Sequence, residues 1–376
     1  MTTHLWQKEG QLSEYSKSSL HGILSKAEKE EQLCISDILF LLNIDDEYML
    51  QDLYHVANSL RKRYFGNDIY LYGFLYLSTY CKNNCTFCYF RRDNTLCQRY
   101  RKTNEEIVQA AHALMSSGVH LLDLTMGEDP KFHDFEHGFA TIIDVLHTLH
   151  LETSLPLMLS PGVLSYEMLK EIQAAGVSWY ACYQETYSTE LFAFLRCGQS
   201  FDVRLTAKKN AKHLGLLTEE GILCGVGESW IDLASSLLEM SGPGFDQLRA
   251  MTFIPQPGTP MQDHHSEAME KELKLIAILR LLNPSKCIPA SLDVEGLKGL
   301  CPRLKAGANV ITSIVPPGCG LAGVANHALD IDNFNRTVDR IRVDVKSLGL
   351  DIGSLDGYRA WMDSVSVLTA HNAYKE

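Results

Sequence analysis

Long hydrophobic runs are missing from this chain, as are basic tracts, low-complexity stretches and internal repeats. No apolar segment approaches the roughly 20 residues that a membrane-spanning helix needs. The opening residues, MTTHLWQKEGQLSEYSK, are polar and lack the apolar core of a secretory signal. With 34 basic against 46 acidic residues the formal net charge is −12. Such a balance, without a Lys/Arg cluster, argues against nucleic acid as the main partner. Disulfide stapling is excluded too: eleven cysteines is an odd number, and 376 residues need no staples. Cys34, Cys182, Cys224 and Cys287 sit singly in apolar surroundings and read as small core residues. What remains is a soluble, cytoplasmic chain of enzyme size with no membrane role. Its 45% apolar content suffices for a substantial core.

Against this background one run stands out: Tyr80-Cys81-Lys82-Asn83-Asn84-Cys85-Thr86-Phe87-Cys88. Soft thiolates suit iron, and Cys81, Cys85 and Cys88 can hold three irons of a [4Fe–4S] cube. No fourth cysteine follows at ligand spacing, so one iron is left open to something other than protein. Structural zinc asks for four ligands, usually as two pairs, and no second pair accompanies the triplet. Phe87, just before the third cysteine, completes a C-x3-C-x-aromatic-C pattern that resembles the radical S-adenosylmethionine (SAM) enzymes. The resemblance implies that the open iron chelates the amino and carboxylate groups of SAM, and that an electron from the cluster cleaves SAM to a 5′-deoxyadenosyl radical.

Periodicity supplies the fold. Residues 1–68 read as a helical extension, with Ser36-Asp37 capping Ile38–Leu42 and Asp45-Asp46 capping a run to Arg63. Eight apolar strand candidates follow: Ile69–Leu77, Val119–Thr125, Leu155–Leu159, Val177–Tyr183, Glu220–Gly225, Gln247–Phe253, Cys287–Ser291 and Asn309–Ser313. Helical patterns alternate with them, among them Asn104–Ser116, Ser165–Ala175, Phe201–His213, Ser229–Met240 and Glu267–Leu282. Eight strands with interleaved helices predict an α/β protein, a (β/α)8 TIM barrel over 69–330, with a helical cap over 331–376.

In such barrels chemistry collects at the carboxyl ends of the strands. The triplet follows strand one, and Met126-Gly127-Glu128 ends strand two. Glycine there lets backbone approach a ligand closely. Glu185 ends strand four, and Arg204 follows nineteen residues later. An arginine fork suits a carboxylate. Three charges are set in otherwise apolar strands: Asp123, Arg249 and Asp293. Burying them is costly unless each is paired or meets a ligand. Together they suit a zwitterionic amino acid; the structural alternative is an internal Asp–Arg pair.

Longer strings sharpen the resemblance: Ser78-Thr79-Tyr80-Cys81-Lys82-Asn83, Asp123-Leu124-Thr125-Met126-Gly127-Glu128-Asp129-Pro130, Tyr183-Gln184-Glu185-Thr186-Tyr187, Gly198-Gln199-Ser200-Phe201-Asp202 and Ile288-Pro289-Ala290-Ser291-Leu292-Asp293. Over roughly residues 35 to 325 the chain resembles the methylornithine synthases, radical SAM mutases of the biotin-synthase-like group. The resemblance implies an isomerase that turns L-lysine into (3R)-3-methyl-D-ornithine, the first step of pyrrolysine biosynthesis. It implies SAM contacts by Phe87, Met126, Gly127, Glu128, Glu185 and Arg204, and amino-acid contacts by Asp123, Arg249, Ser291 and Asp293. A low-potential electron donor is implied as a partner. Biotin synthase would need a second cluster for which no supporting set is evident. A hydrogenase-maturase-like enzyme shares the Glu/Arg spacing but acts on another substrate. A non-catalytic iron–sulfur carrier would leave the barrel charges without purpose.

Overall fold

The computed structural model describes residues 9–242, 244–265, 269–316 and 336–373. Its centre is a parallel sheet of eight strands: β1 Asp68–Ser78, β2 Leu121–Met126, β3 Leu157–Ser160, β4 Val177–Ala181, β5 Leu217–Cys224, β6 Gln247–Thr252, β7 Pro289–Ser291 and β8 Val310–Ile314. Neighbours follow the order β6-β5-β4-β3-β2-β1-β8-β7. Between β6 and β7 the ring is drawn together by one bridge: Leu248 N–H donates to Cys287 O at 3.0 Å and Cys287 N–H to Asp246 O at 3.2 Å. The (β/α)8 barrel expected from the alternation is thus present. All eight strands carry buried runs, as strands covered on both faces should.

Among the described residues three helices precede the barrel: Glu9–Glu28, Ile35–Leu42 and Glu47–Phe65. The second starts earlier than the Ser36-Asp37 cap predicts. Cys34 is its N-cap, and Asp37, three residues on, accepts the Cys34 N–H at 3.1 Å. Cys34 is accordingly exposed, not a core residue. The third is capped as expected by Asp46, which accepts Met49 N–H at 2.9 Å. Several strand limits also shift. Strand four stops at Ala181 rather than Tyr183, and strand five begins at Leu217 rather than Glu220. Charge in Thr218-Glu219-Glu220 disguised a strand buried at every position but Leu223. The predicted start of helix Glu267–Leu282 lies outside the described residues, as does the 330/331 boundary; the helix runs over Met269–Leu282 where described.

After the barrel come helices Val338–Ser347 and Leu355–Ala373, joined by a two-residue strand, β9 Asp351–Ile352, that pairs with β1. The last helix closes the amino-terminal mouth. Tyr358 shares a 2.7 Å hydroxyl hydrogen bond with Tyr72, and Trp361 stacks on Trp179 with centroids 6.0 Å apart. With one mouth plugged by aromatic rings, the opposite mouth is left for chemistry. No helix among the described residues is long and apolar enough to cross a membrane.

Candidate active site

A cavity of about 240 Å³ opens at the carboxyl ends of the strands. All thirteen residues singled out in the sequence line it: Cys81, Cys85, Phe87, Cys88, Asp123, Met126, Gly127, Glu128, Glu185, Arg204, Arg249, Ser291 and Asp293.

The cysteine loop leaves β1 at Ser78 and is held by its own backbone and by its neighbours. Thr79 N–H donates to Tyr100 O at 3.1 Å, and Arg92 N–H to Asn83 O at 2.8 Å. Lys82 N–H reaches Glu128 O at 2.9 Å, and Thr86 N–H reaches Leu195 O at 2.9 Å. Gly127 is needed for this docking. A Cβ there would lie 2.4 Å from Tyr80 O and 2.7 Å from the Cys81 Cβ. The close approach that this glycine permits is therefore to the cysteine loop itself. Asp129 locks the same corner through a bidentate contact with Arg101, 2.7 Å to Nε and 2.8 Å to Nη2, and through the Ser78 hydroxyl.

Glu128 points from the end of β2 toward the β3 loop, where Val163 N–H donates to Oε1 at 3.0 Å. Gly162 adopts φ +80, and any side chain there would strike Glu128. Burial pushes the Glu128 carboxyl up, but Arg204, the Val163 N–H and Lys82 outweigh it and hold the group below its ordinary value. Arg204 also donates from Nε to Tyr183 O at 2.6 Å. Glu185 and Arg204 both reach the cavity, as expected, and do not bond to each other. Glu185, in left-handed backbone at φ +70, instead takes a hydrogen bond from Arg196 Nη2, and its Oε2 is buried with no partner. Burial raises its carboxyl above the ordinary value, although Arg196 and Arg204 pull the other way.

Arg196 escaped the sequence reading because a lone arginine between helical patterns looks like a surface residue. It is buried, lies with its guanidinium 5.6 Å from the Phe87 ring centroid, and sets Nη1 3.8 Å from Cys85 Sγ. Gln199 Nε2 donates to the same sulfur at 3.0 Å. Its string, Gly198-Gln199-Ser200, was a signal available in the sequence.

Deeper in the barrel, Arg249 is paired not with an aspartate but with Glu219 on β5, 2.8 Å from its Nε. Its Nη1 donates to Thr312 at 3.1 Å, while Nη2 is buried without a partner. Strand register explains the choice. Glu219 pairs with Gln247 and Gly221 with Arg249, so with a period of two Glu219 faces inward and Glu220 outward. Glu220 meets Lys208 on the outer helix. Asp123 Oδ1 is likewise buried and unbonded. Burial, then the charge of Glu219, with Asp293 adding and Arg249 opposing, pushes its carboxyl up to about 8. Asp293 accepts from Ser291 at 3.1 Å, Ser313 at 2.7 Å and Arg336 at 3.2 Å.

Residues 75–239 match the model of the radical SAM superfamily. The chain is 42% identical over 319 residues to a 3-methylornithine synthase from Methanosarcina barkeri, covering 85% of this chain and 90% of that protein. It belongs to the 3-methylornithine synthase family. A crystal structure of methylornithine synthase (PylB) superposes with a TM-score of 0.86 at 40% identity, covering 90% of this chain and 99% of the other. An [FeFe] hydrogenase maturase subunit HydE from Thermotoga maritima is 31% identical over 273 residues, covering 72% of this chain and 77% of that protein.

As a radical SAM enzyme of this family, the protein uses a [4Fe–4S] cluster and SAM. Its donor set fits. Cys81, Cys85 and Cys88 line one cavity, and their thiolates are soft donors of the kind that suits iron. Yet among the described residues no three His, Cys, Asp or Glu converge on a point that would hold a single metal ion. A cube asks instead for one thiolate on each of three irons, so its ligands need not meet at a single point.

Proposed function

We propose that this enzyme isomerises L-lysine to (3R)-3-methyl-D-ornithine, with electrons from a low-potential donor. The reading takes its product from the relatives' names and its substrate from the resemblance in the sequence, and rests, in this chain, on one observation. Two buried polar atoms without partners, Arg249 Nη2 and Asp123 Oδ1, belong to residues that line one cavity with the cysteine triplet. Unpaired buried polar groups cost free energy unless a ligand meets them. A carboxylate answers the first and an ammonium the second.

When bound, the cluster and SAM supply a 5′-deoxyadenosyl radical able to take hydrogen from an unactivated carbon. The chain's own work is to hold and to enclose. Glu128, Glu185 and Arg204 offer charge and backbone to SAM near the cysteines. Arg249, Asp123, Ser291 and Asp293 fix the amino-acid head group. Breaking the Cα–Cβ bond yields two fragments that must stay in place until they rejoin, and positioning of this kind is worth several kcal/mol of barrier. The aromatic plug at the amino-terminal mouth, with Tyr72, Tyr358, Trp179 and Trp361, keeps water out from below. Lysine and product are isomers, so the conversion itself involves no net oxidation or reduction.

The test is anaerobic reconstitution of the cluster followed by SAM, dithionite and L-lysine. Deoxyadenosine together with methylornithine supports the proposal. Deoxyadenosine with no lysine-derived product would point to another substrate, as a maturase-like enzyme would have.

A further inference from the structure

The amino-acid end of the cavity carries three carboxylates, Asp123, Glu219 and Asp293, and two guanidiniums, Arg249 and Arg336. Glu219 is fully buried and accepts from Tyr183 Oη at 2.7 Å, Gln247 Nε2 at 2.7 Å and Arg249 Nε at 2.8 Å. It thereby cancels the Arg249 charge while leaving Nη2 free to donate. Asp293 is matched in the same way by Arg336 at 3.2 Å. Among the described residues Asp123 has no ion pair. With all five of these groups ionised, the described residues of this end therefore carry one net negative charge.

We propose that Glu219 is a specificity-determining residue: by neutralising Arg249 from behind, it leaves the amino-acid end one charge short of balance, so that the site selects an amino acid with a second ammonium over its monoamino analogue. The inference rests on the lysine reading above and adds what in this chain would enforce it. An arginine free of Glu219 would bring the end to zero and suit a neutral zwitterion. With Glu219 in place, a neutral zwitterion leaves a buried charge uncompensated, which is expensive in a water-poor site. Lysine, with two ammoniums and one carboxylate, restores neutrality. Norleucine, which is lysine without the side-chain amine, does not. The alternative for the protein is to leave Asp123 protonated, and its raised carboxyl shows the same imbalance in the ligand-free state.

Two neighbours keep Glu219 in its role. Tyr183 gives it a hydroxyl hydrogen bond and lies with its ring 5.7 Å from the Arg249 guanidinium. Gly221, two residues along the same face, leaves room for that ring; a Cβ there would come within 3.0 Å of it.

The experiment compares equilibrium binding of lysine and norleucine to the reconstituted, SAM-loaded protein without reductant, so no turnover is involved. In the wild type lysine binds more tightly. In Glu219→Gln the ratio of the two dissociation constants is expected to fall by about tenfold or more, on the scale of a removed buried charge. Cluster absorbance and SAM affinity should be unchanged. Glu219→Asp keeps the charge and should keep the ratio, even where both affinities weaken. An unchanged ratio in Glu219→Gln overturns the proposal. Should that variant fail to hold its cluster, calorimetry of the wild type in two buffers of different ionisation enthalpy decides instead. Lysine must then release more protons on binding than norleucine does; equal release overturns the proposal. A wild type that ignores lysine but prefers ornithine to norvaline would sink the lysine reading while supporting the charge rule.

Discussion

Arg196 ties Glu185 to the cysteine loop: Nη2 donates to the carboxylate while Nη1 lies 3.8 Å from Cys85 Sγ. Both side chains are less than a tenth exposed, so neither charge can turn to water when the other is lost. Removing one partner of a buried pair usually costs about 3–5 kcal/mol. Arg196→Met should destabilise the ligand-free protein by roughly that amount in denaturant unfolding, and Arg196→Lys by less. Loss of under about 1 kcal/mol would mean the pair is solvated in solution.

Cys85→Ala should remove one thiolate of the three. Iron content and the charge-transfer absorbance of the reconstituted protein should drop, and deoxyadenosine formation should cease. Continued SAM cleavage would refute the cluster assignment.

Gly127→Ala places a methyl group against Tyr80 O and Cys81. Backbone cannot yield cheaply there, so the cysteine loop is expected to move and cluster incorporation to fall, with the barrel intact by circular dichroism. Normal iron loading would show that the loop yields more easily than its packing indicates.

Arg249→Ala removes the free Nη2 donor, proposed to meet the substrate carboxylate, and strands Glu219. Lysine affinity should weaken by about 2–5 kcal/mol, read as a rise in the dissociation constant with SAM affinity preserved. An effect on stability alone would make Arg249 structural.

Asp123 gives a pH signature whose sign follows from its raised carboxyl, at about 8 in the folded state. The unfolded chain ionises it near pH 4, so the stability that goes with the neutral form is complete below pH ~4 and is lost as pH rises toward 8. Asp123→Asn escapes that loss. In the absence of ligand, its stability relative to wild type should climb by up to about 1.4 kcal/mol per pH unit between 4 and 8, then level off. A constant difference across pH 5 to 8 would show that Asp123 titrates normally.

Much of the site was legible because local spacing carries it. Three cysteines within eight residues, an aromatic before the last, and Met126-Gly127-Glu128 closing a strand all lie in contiguous strings. Asp123, Arg249 and Asp293 drew attention because charge inside an apolar run needs a reason. Glu219 and Glu220 did not, since two adjacent acids read as a solvated turn. Their difference is one of register: Glu219 looks into the barrel and Glu220 at Lys208 on the outer helix. Arg196 belongs to the same class, a charge whose partners stand 11 and 111 positions away.

By itself, then, the amino-acid sequence determined the barrel and put forward the cysteine triplet and three of the charges at the strand ends, because each depends on periodicity or on neighbours along the chain. Tertiary structure decided which of those charges pair and which stay free. Arg249 went to Glu219 and not to Asp123, and Glu185 to Arg196 and not to Arg204. Those choices follow from strand register and barrel closure, which bring together side chains far apart in the chain and leave only particular atoms exposed to the cavity.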